Sequence, residues 1–286
     1  MSQDQLLQKN EEETQSYALQ YQKQKQQYLP SSDDHQIEVQ DSQKEELLKK
    51  IEILESKLKN TIDDKPYSEL MRILIWEALG TAFFAYGIVC SRGNDVMLSV
   101  YLFGAIFLIG KITGGHVNPA VSMSFYSSNE ISAFTMRVYW AAQVGGAIAG
   151  ALAAFVIVGR VTSPYIETQP IEWMIADFCG EALGTFIFCL FIHIQVHPQT
   201  QLTDNNLIGI GIIATALYFG RILTYHTGGC LNPAMGVGLG IFESLQDGNW
   251  DRLINIWIYI FGPFSGASLA SEFYRSVYVG LLPKKQ

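Results

Sequence analysis

Gly114-Gly115-His116-Val117-Asn118-Pro119-Ala120 and Gly228-Gly229-Cys230-Leu231-Asn232-Pro233-Ala234 are two versions of one element. Asn is a favoured helix N-cap, Pro is favoured at the first helical position, and Gly-Gly upstream supplies a flexible turn. Each copy follows an apolar run, 96–110 and 206–220, that falls short of the roughly 20 residues needed to cross a bilayer. Each therefore reads as a helix that begins inside the membrane and points its positive N-terminal end at something. A single Asn-Pro is ordinarily a surface turn. Two copies in matching apolar surroundings are not explained that way, because short, Gly-interrupted segments at corresponding places of two halves mark a midplane site.

Working outward, charge separates the chain into two regions. Of its 286 residues, 49% are hydrophobic and the mean hydropathy is +0.15. Residues 1–68 hold 14 acidic and 9 basic residues, against 13 and 10 in the remaining 218. The first region is thus a polar tail and the second, 69–286, an all-α membrane domain. Eleven glutamines in residues 1–40 predict disorder there. Leu47, Ile51, Leu54 and Leu58 repeat at heptad spacing within 41–60, a pattern of about two heptads that predicts a short, solvated amphipathic helix rather than a coiled coil. The net charge of −8 gives no case for a nucleic-acid partner. Cys90, Cys179, Cys189 and Cys230 sit in or beside apolar segments without metal-like pairing, and the polar N-terminus does not read as a cleavable signal.

Six spans are predicted near 70–90, 96–110, 138–159, 173–195, 206–220 and 253–274, the second and fifth closed by Lys111 and Arg221. They form two repeats, about 69–160 and 171–280. Glu77-Ala78-Leu79-Gly80-Thr81 recurs as Glu181-Ala182-Leu183-Gly184-Thr185, and Gly146-Ala147 recurs as Gly266-Ala267. Three spans per repeat is an odd number, so the halves are inverted in the membrane. Lys65, Arg72, Lys284 and Lys285 flank the ends, while Arg92 and Arg160 fall on the opposite side. This mild positive-inside bias predicts a multi-pass protein with cytoplasmic termini.

Irregular backbone at membrane depth must be buried in protein or line a cavity. Asn118 to Tyr126 and Asn232 to Phe242 give about 13–16 Å of helix each, half a bilayer. Two such half-helices meet at the midplane, with side-chain N–H groups of Asn118 and Asn232 facing a lumen. Amide donors and positive helix ends favour a lone-pair acceptor such as water and disfavour cations. Glu77 and Glu181 are read as acceptors for the backbone N–H groups of the re-entrant loops, in preference to proton sites. His116 is given a supporting or pore-lining role. His193 and His197 are placed in the loop between spans four and five as solvated histidines.

These motifs resemble the aquaporin family, the major intrinsic proteins, over about residues 69–280. Gly114 to Val121 resembles the family's first loop motif and Thr227 to Ala234 its second. Ala142-Gln143 with Gly146-Ala147 resembles the third-span signature, and Trp257, Tyr259, Gly262-Pro263 and Gly266-Ala267 the sixth. The resemblance implies six spans and two half-helices, one pore per subunit, a homotetramer, and pore motifs Asn118-Pro119-Ala120 and Asn232-Pro233-Ala234, with Gln143 among the supporting residues. The pattern departs from the family after the second motif, where most members carry Arg and this chain has Met235. The four positions of the family's selectivity constriction align as Leu98, Gly220, Gly229 and Met235. Two glycines and two apolar side chains predict a wider, uncharged ring passing water and solutes such as glycerol, urea or ammonia.

No catalytic constellation, cofactor motif or metal cluster is legible, and the reading is not that of an enzyme. The expected partners are water, small neutral solutes and the lipid bilayer. Two other classes share parts of the pattern: an ion-coupled secondary transporter, which also uses inverted repeats and broken helices, and a non-conducting structural membrane protein retaining the fold.

Overall fold

The computed structural model describes residues 47–51 and 65–282. The chain divides into two compact units, 1–55 and 56–286. In the first, residues 47–51 form a helical turn. Leu54, Leu58 and the Gln-rich stretch lie outside the described residues. In the second, eight α-helices among the described residues carry the fold: α1 (Tyr67–Ser91), α2 (Asp95–Thr113), α3 (Pro119–Ser127), α4 (Ala133–Val158), α5 (Ile171–Val196), α6 (Asn206–Leu223), α7 (Pro233–Asp247) and α8 (Ile256–Phe273). Six of the helical stretches are long and apolar enough to cross a membrane. The two that are not are α3 and α7, the helices that begin at the repeated motif.

The second and fifth spans run longer than the sequence predicts. Lys111 and Arg221 do not end them but lie in their last turns, where a cation meets the negative end of the helix dipole. Likewise α7 does not stop at Phe242. It continues to Asp247, where Gly248 in the left-handed region (φ 67°) closes it.

Small residues set the helix crossings. α1 packs on α4 and α5 on α8, the same pairing in each repeat, and α2 against α6 joins the halves. A Cβ on Gly146 would sit 2.4 Å from the Ala78 carbonyl oxygen, and one on Gly266 would sit 2.0 Å from that of Ala182. Only hydrogen fits at either place, so the backbones touch. α3 lies against α4 and α8, and α7 against the same two helices. Val100, Phe107, Leu152, Val156, Ile175 and Leu269 remain exposed on the outer surface, with Tyr67, Trp173, Tyr225 and Trp250 near helix ends. That is the apolar flank and aromatic belt expected of a bilayer-facing surface.

Candidate functional site

The site is assembled from the two loops that the repeat duplicates. Asn118 Oδ1 accepts the Ala120 N–H at 2.8 Å and Asn232 Oδ1 that of Ala234 at 3.1 Å, so each side chain caps its own half-helix. The other end of each amide crosses to the opposite repeat: Asn118 Nδ2 donates to the Leu231 carbonyl at 2.9 Å and Asn232 Nδ2 to the Val117 carbonyl at 3.0 Å. The sequence reading leaves these N–H groups free. One from each amide is instead spent as a reciprocal strap between the halves, and the second is what each asparagine has left for a lumen.

Val117 and Leu231 hold φ of 44° and 52°, a region costly for any residue but glycine and most of all for β-branched Val117. The twist lets one peptide serve two partners. Each carbonyl faces the opposite asparagine, and each N–H faces a buried glutamate of its own repeat. Glu77 accepts from Thr113 Oγ1 (2.6 Å) and the N–H groups of His116 (3.0 Å) and Val117 (2.8 Å). Glu181 accepts from Thr227 Oγ1 (2.5 Å), Cys230 (3.0 Å) and Leu231 (2.8 Å). The preceding carbonyls are tied as well: Tyr139 Oη donates to the Thr113 carbonyl, and Tyr259 Oη to that of Thr227 at 2.6 Å.

The halves differ in two places. Gln143 adds a donor to Glu77 at 3.1 Å and also reaches Ser122, while its counterpart in the other repeat is Pro263. His116, whose counterpart is Cys230, hydrogen-bonds Ser122 Oγ at 3.0 Å and stacks between Tyr139 (4.2 Å) and Phe125 (4.7 Å). These contacts tie the first loop to α3 and α4.

Both asparagines border a cavity of about 10 Å³, room for a single water. Phe84, Leu98, Phe188 and Leu217 narrow it, and the polar groups besides the two asparagines are Arg221 and Cys230. Of the four positions aligned with the constriction, Leu98 alone is on this wall. Gly220 is turned into the α5–α6 crossing, where a Cβ would meet the Gly184 carbonyl oxygen at 2.7 Å. Gly229 presents its carbonyl, and Met235 is packed in the core at 1% exposure. The residue that linear reading missed is Arg221. Its Nε donates to Asp95 at 2.7 Å, and one terminal nitrogen donates to the Gly229 carbonyl. Arg221 also lines the cavity. A cation in the last turn of one span and an acid at the head of another, Asp95, were the available signal.

A second cluster lies at the end of the bundle where α1 begins and α5 ends. His193 is not in a solvated loop: it belongs to α5 and is fully buried. Glu130, in the α3–α4 turn, stands 3.9 Å from His193 Nδ1 and 3.3 Å from His197 Nε2. Burial works to raise the Glu130 pKa, but hydrogen bonds from His197 and Ser128 outweigh it and hold the carboxyl below its ordinary value. The Glu130 contact raises that of His197.

Six membrane-length helices, two half-helices with buried starts, and a cavity between their caps define a polytopic channel fold. The sequence profile described as "Major intrinsic protein" matches residues 65–274. A glycerol uptake facilitator-like protein of Lactiplantibacillus plantarum is 30% identical, over 70% of this chain and 95% of its own. A probable aquaporin of Arabidopsis thaliana is 28% identical over 74% and 79% respectively. The crystal structure of the aquaglyceroporin from Plasmodium falciparum superposes with a TM-score of 0.67 at 21% identity, covering 74% of this chain and 98% of that one, and so shares the fold. The chain belongs to the major intrinsic protein family and is a passive membrane channel.

Proposed function

We propose that this chain conducts water, and that Arg221, rather than the residue after the second Asn-Pro-Ala, supplies the fixed charge of its selectivity ring. The observation that carries the reading is the cavity of about 10 Å³ bordered by Asn118, Asn232 and Arg221. The asparagine amides offer N–H donors to a passing oxygen, and the guanidinium repels cations. Ammonia is of water's size and fits the same space. Glycerol and urea need Phe84, Phe188 or Leu98 to move outward. The absence of Arg at Met235 therefore does not leave the ring uncharged. Asp95 and the Gly229 carbonyl hold the guanidinium in place, which a mobile lysine at 221 would not reproduce. We place the termini in the cytoplasm on the positive-inside bias of the flanking Lys and Arg, and take the assembly to be a homotetramer, as the family resemblance implies.

The test is a stopped-flow panel on reconstituted vesicles with water, ammonia, urea and glycerol. The natural protein is expected to accelerate water well above protein-free vesicles while leaving glycerol near background. Arg221→Ala is expected to raise urea and glycerol flux several-fold and to admit protons. A natural protein that passes glycerol as fast as water, or an Arg221→Ala variant with unchanged selectivity, overturns the assignment.

A further inference from the structure

From the geometry of Glu130, His193 and His197 we infer a binding site for a zinc-class divalent cation at the end of the bundle where α1 begins and α5 ends. The three residues come from two elements, the α3–α4 turn and the end of α5. One donor atom from each lies within 4.8 Å of the others. Two imidazoles and a carboxylate are a set that borderline transition metals take, with an open position for water.

Two features go beyond proximity. His193 is fully buried, and neither ring nitrogen has a hydrogen-bond partner among the described residues, although its Nδ1 faces Glu130. A buried histidine without a partner calls for an explanation, and a ligand is one. His197 is oriented as metal-binding histidines are: its Nδ1 donates to the His193 backbone carbonyl at 2.6 Å. Its Nε2 faces Glu130 Oε2 and donates to it in the metal-free protein; an entering ion displaces that proton and takes the lone pair. In a tetrahedral zinc site, donors stand about 3.3 Å apart. The 3.3 Å between His197 Nε2 and Glu130 Oε2 meets that directly, and 3.9 Å on the His193 side needs only a small rotation.

The rings are held for the purpose. Tyr274 stacks on His193 (5.4 Å) and His197 (4.9 Å) and is itself fixed by Thr200 at 2.9 Å. Glu130 and His197 are partly exposed, so an ion has a way in. Because Glu130 belongs to the first repeat and both histidines to the second, a bound ion would clamp the two halves together.

Isothermal titration of Zn²⁺ into the tag-free, detergent-solubilised full chain tests the site, alongside Glu130→Gln and His197→Gln. These two positions are partly exposed, so the variants keep the fold, whereas His193→Leu perturbs a buried site and is a secondary variant. One ion per protomer is expected, with affinity falling at least tenfold in each variant and the melting temperature rising on zinc addition in the natural protein only. Substitution by Co²⁺ is expected to give a visible spectrum of nitrogen and oxygen ligation. No stoichiometric binding, affinity unchanged in both variants, or sulfur ligation in the spectrum overturns the proposal.

Discussion

Glu77 and Glu181 illustrate how a charge inside an apolar bundle becomes structure. Each carboxylate is fully buried and accepts from a threonine and two consecutive backbone N–H groups of its loop. Their lone pairs are thereby used, which speaks for support rather than proton coupling. Replacing Glu181 with Gln turns an NH₂ group toward a donor, and each lost charged hydrogen bond costs roughly 1.5–3 kcal/mol. Glu181→Gln is therefore expected to lower the melting temperature by several degrees, measured in detergent. Wild-type flux is expected to be indifferent to an imposed proton gradient. Unchanged stability together with gradient-driven flux would return these acids to a transport role. The pair was legible because the sequence states it twice. Arg221 was not, because an alignment along the chain cannot say which way the last turn of a span aims its side chain.

Among the elements, the half-helix starts were the most legible part, since Asn caps and Pro at the first position are local rules. Their crossed straps were not. A bond from Asn118 to Leu231 spans 113 residues and depends on two unusual backbone angles. The Glu130–His193–His197 cluster escaped because Glu130 lies 63 residues before His193 and meets it only in the folded bundle, although two histidines four apart at one helix end were a local signal. The span lengths came out short because charges were read as stops, whereas a cation in a helix's last turn stabilises it. The glycine crossings admit a direct test. Gly146→Ala and Gly266→Ala place a Cβ within 2.4 Å and 2.0 Å of a carbonyl oxygen, which no rotamer relieves. Each is expected to cost at least 1–3 kcal/mol and to reduce folded yield on size exclusion. Gly145→Ala, with open space beside it, is expected to be silent. Equal behaviour of all three would mean that the helices do not approach as described.

For the whole molecule, the inverted repeat explains why one short motif decides the fold: a half-helix start is stable at membrane depth only when its counterpart arrives from the other side to complete its hydrogen bonds. Charge partition alone predicts a polar tail over 1–68 ahead of an apolar domain. What residues 1–64 do was not legible, because low hydrophobicity and high charge describe a chain that cannot bury a core rather than a task. Deletion of 1–64 is expected to leave permeability per channel and oligomer size unchanged, measured by stopped flow and light scattering; loss of the oligomer would make the 47–58 heptad structural. The central claim is that water crosses between the two strapped asparagines. Removing Asn232 takes away a cap worth about 1 kcal/mol and one strap of similar size, a loss the bundle is expected to survive. The most direct measurement is therefore the osmotic water permeability of vesicles holding equal amounts of folded wild type and Asn232→Leu. The account predicts rapid shrinkage with the wild type and a rate near that of protein-free vesicles with the variant. A well-folded Asn232→Leu protein with wild-type permeability would contradict it.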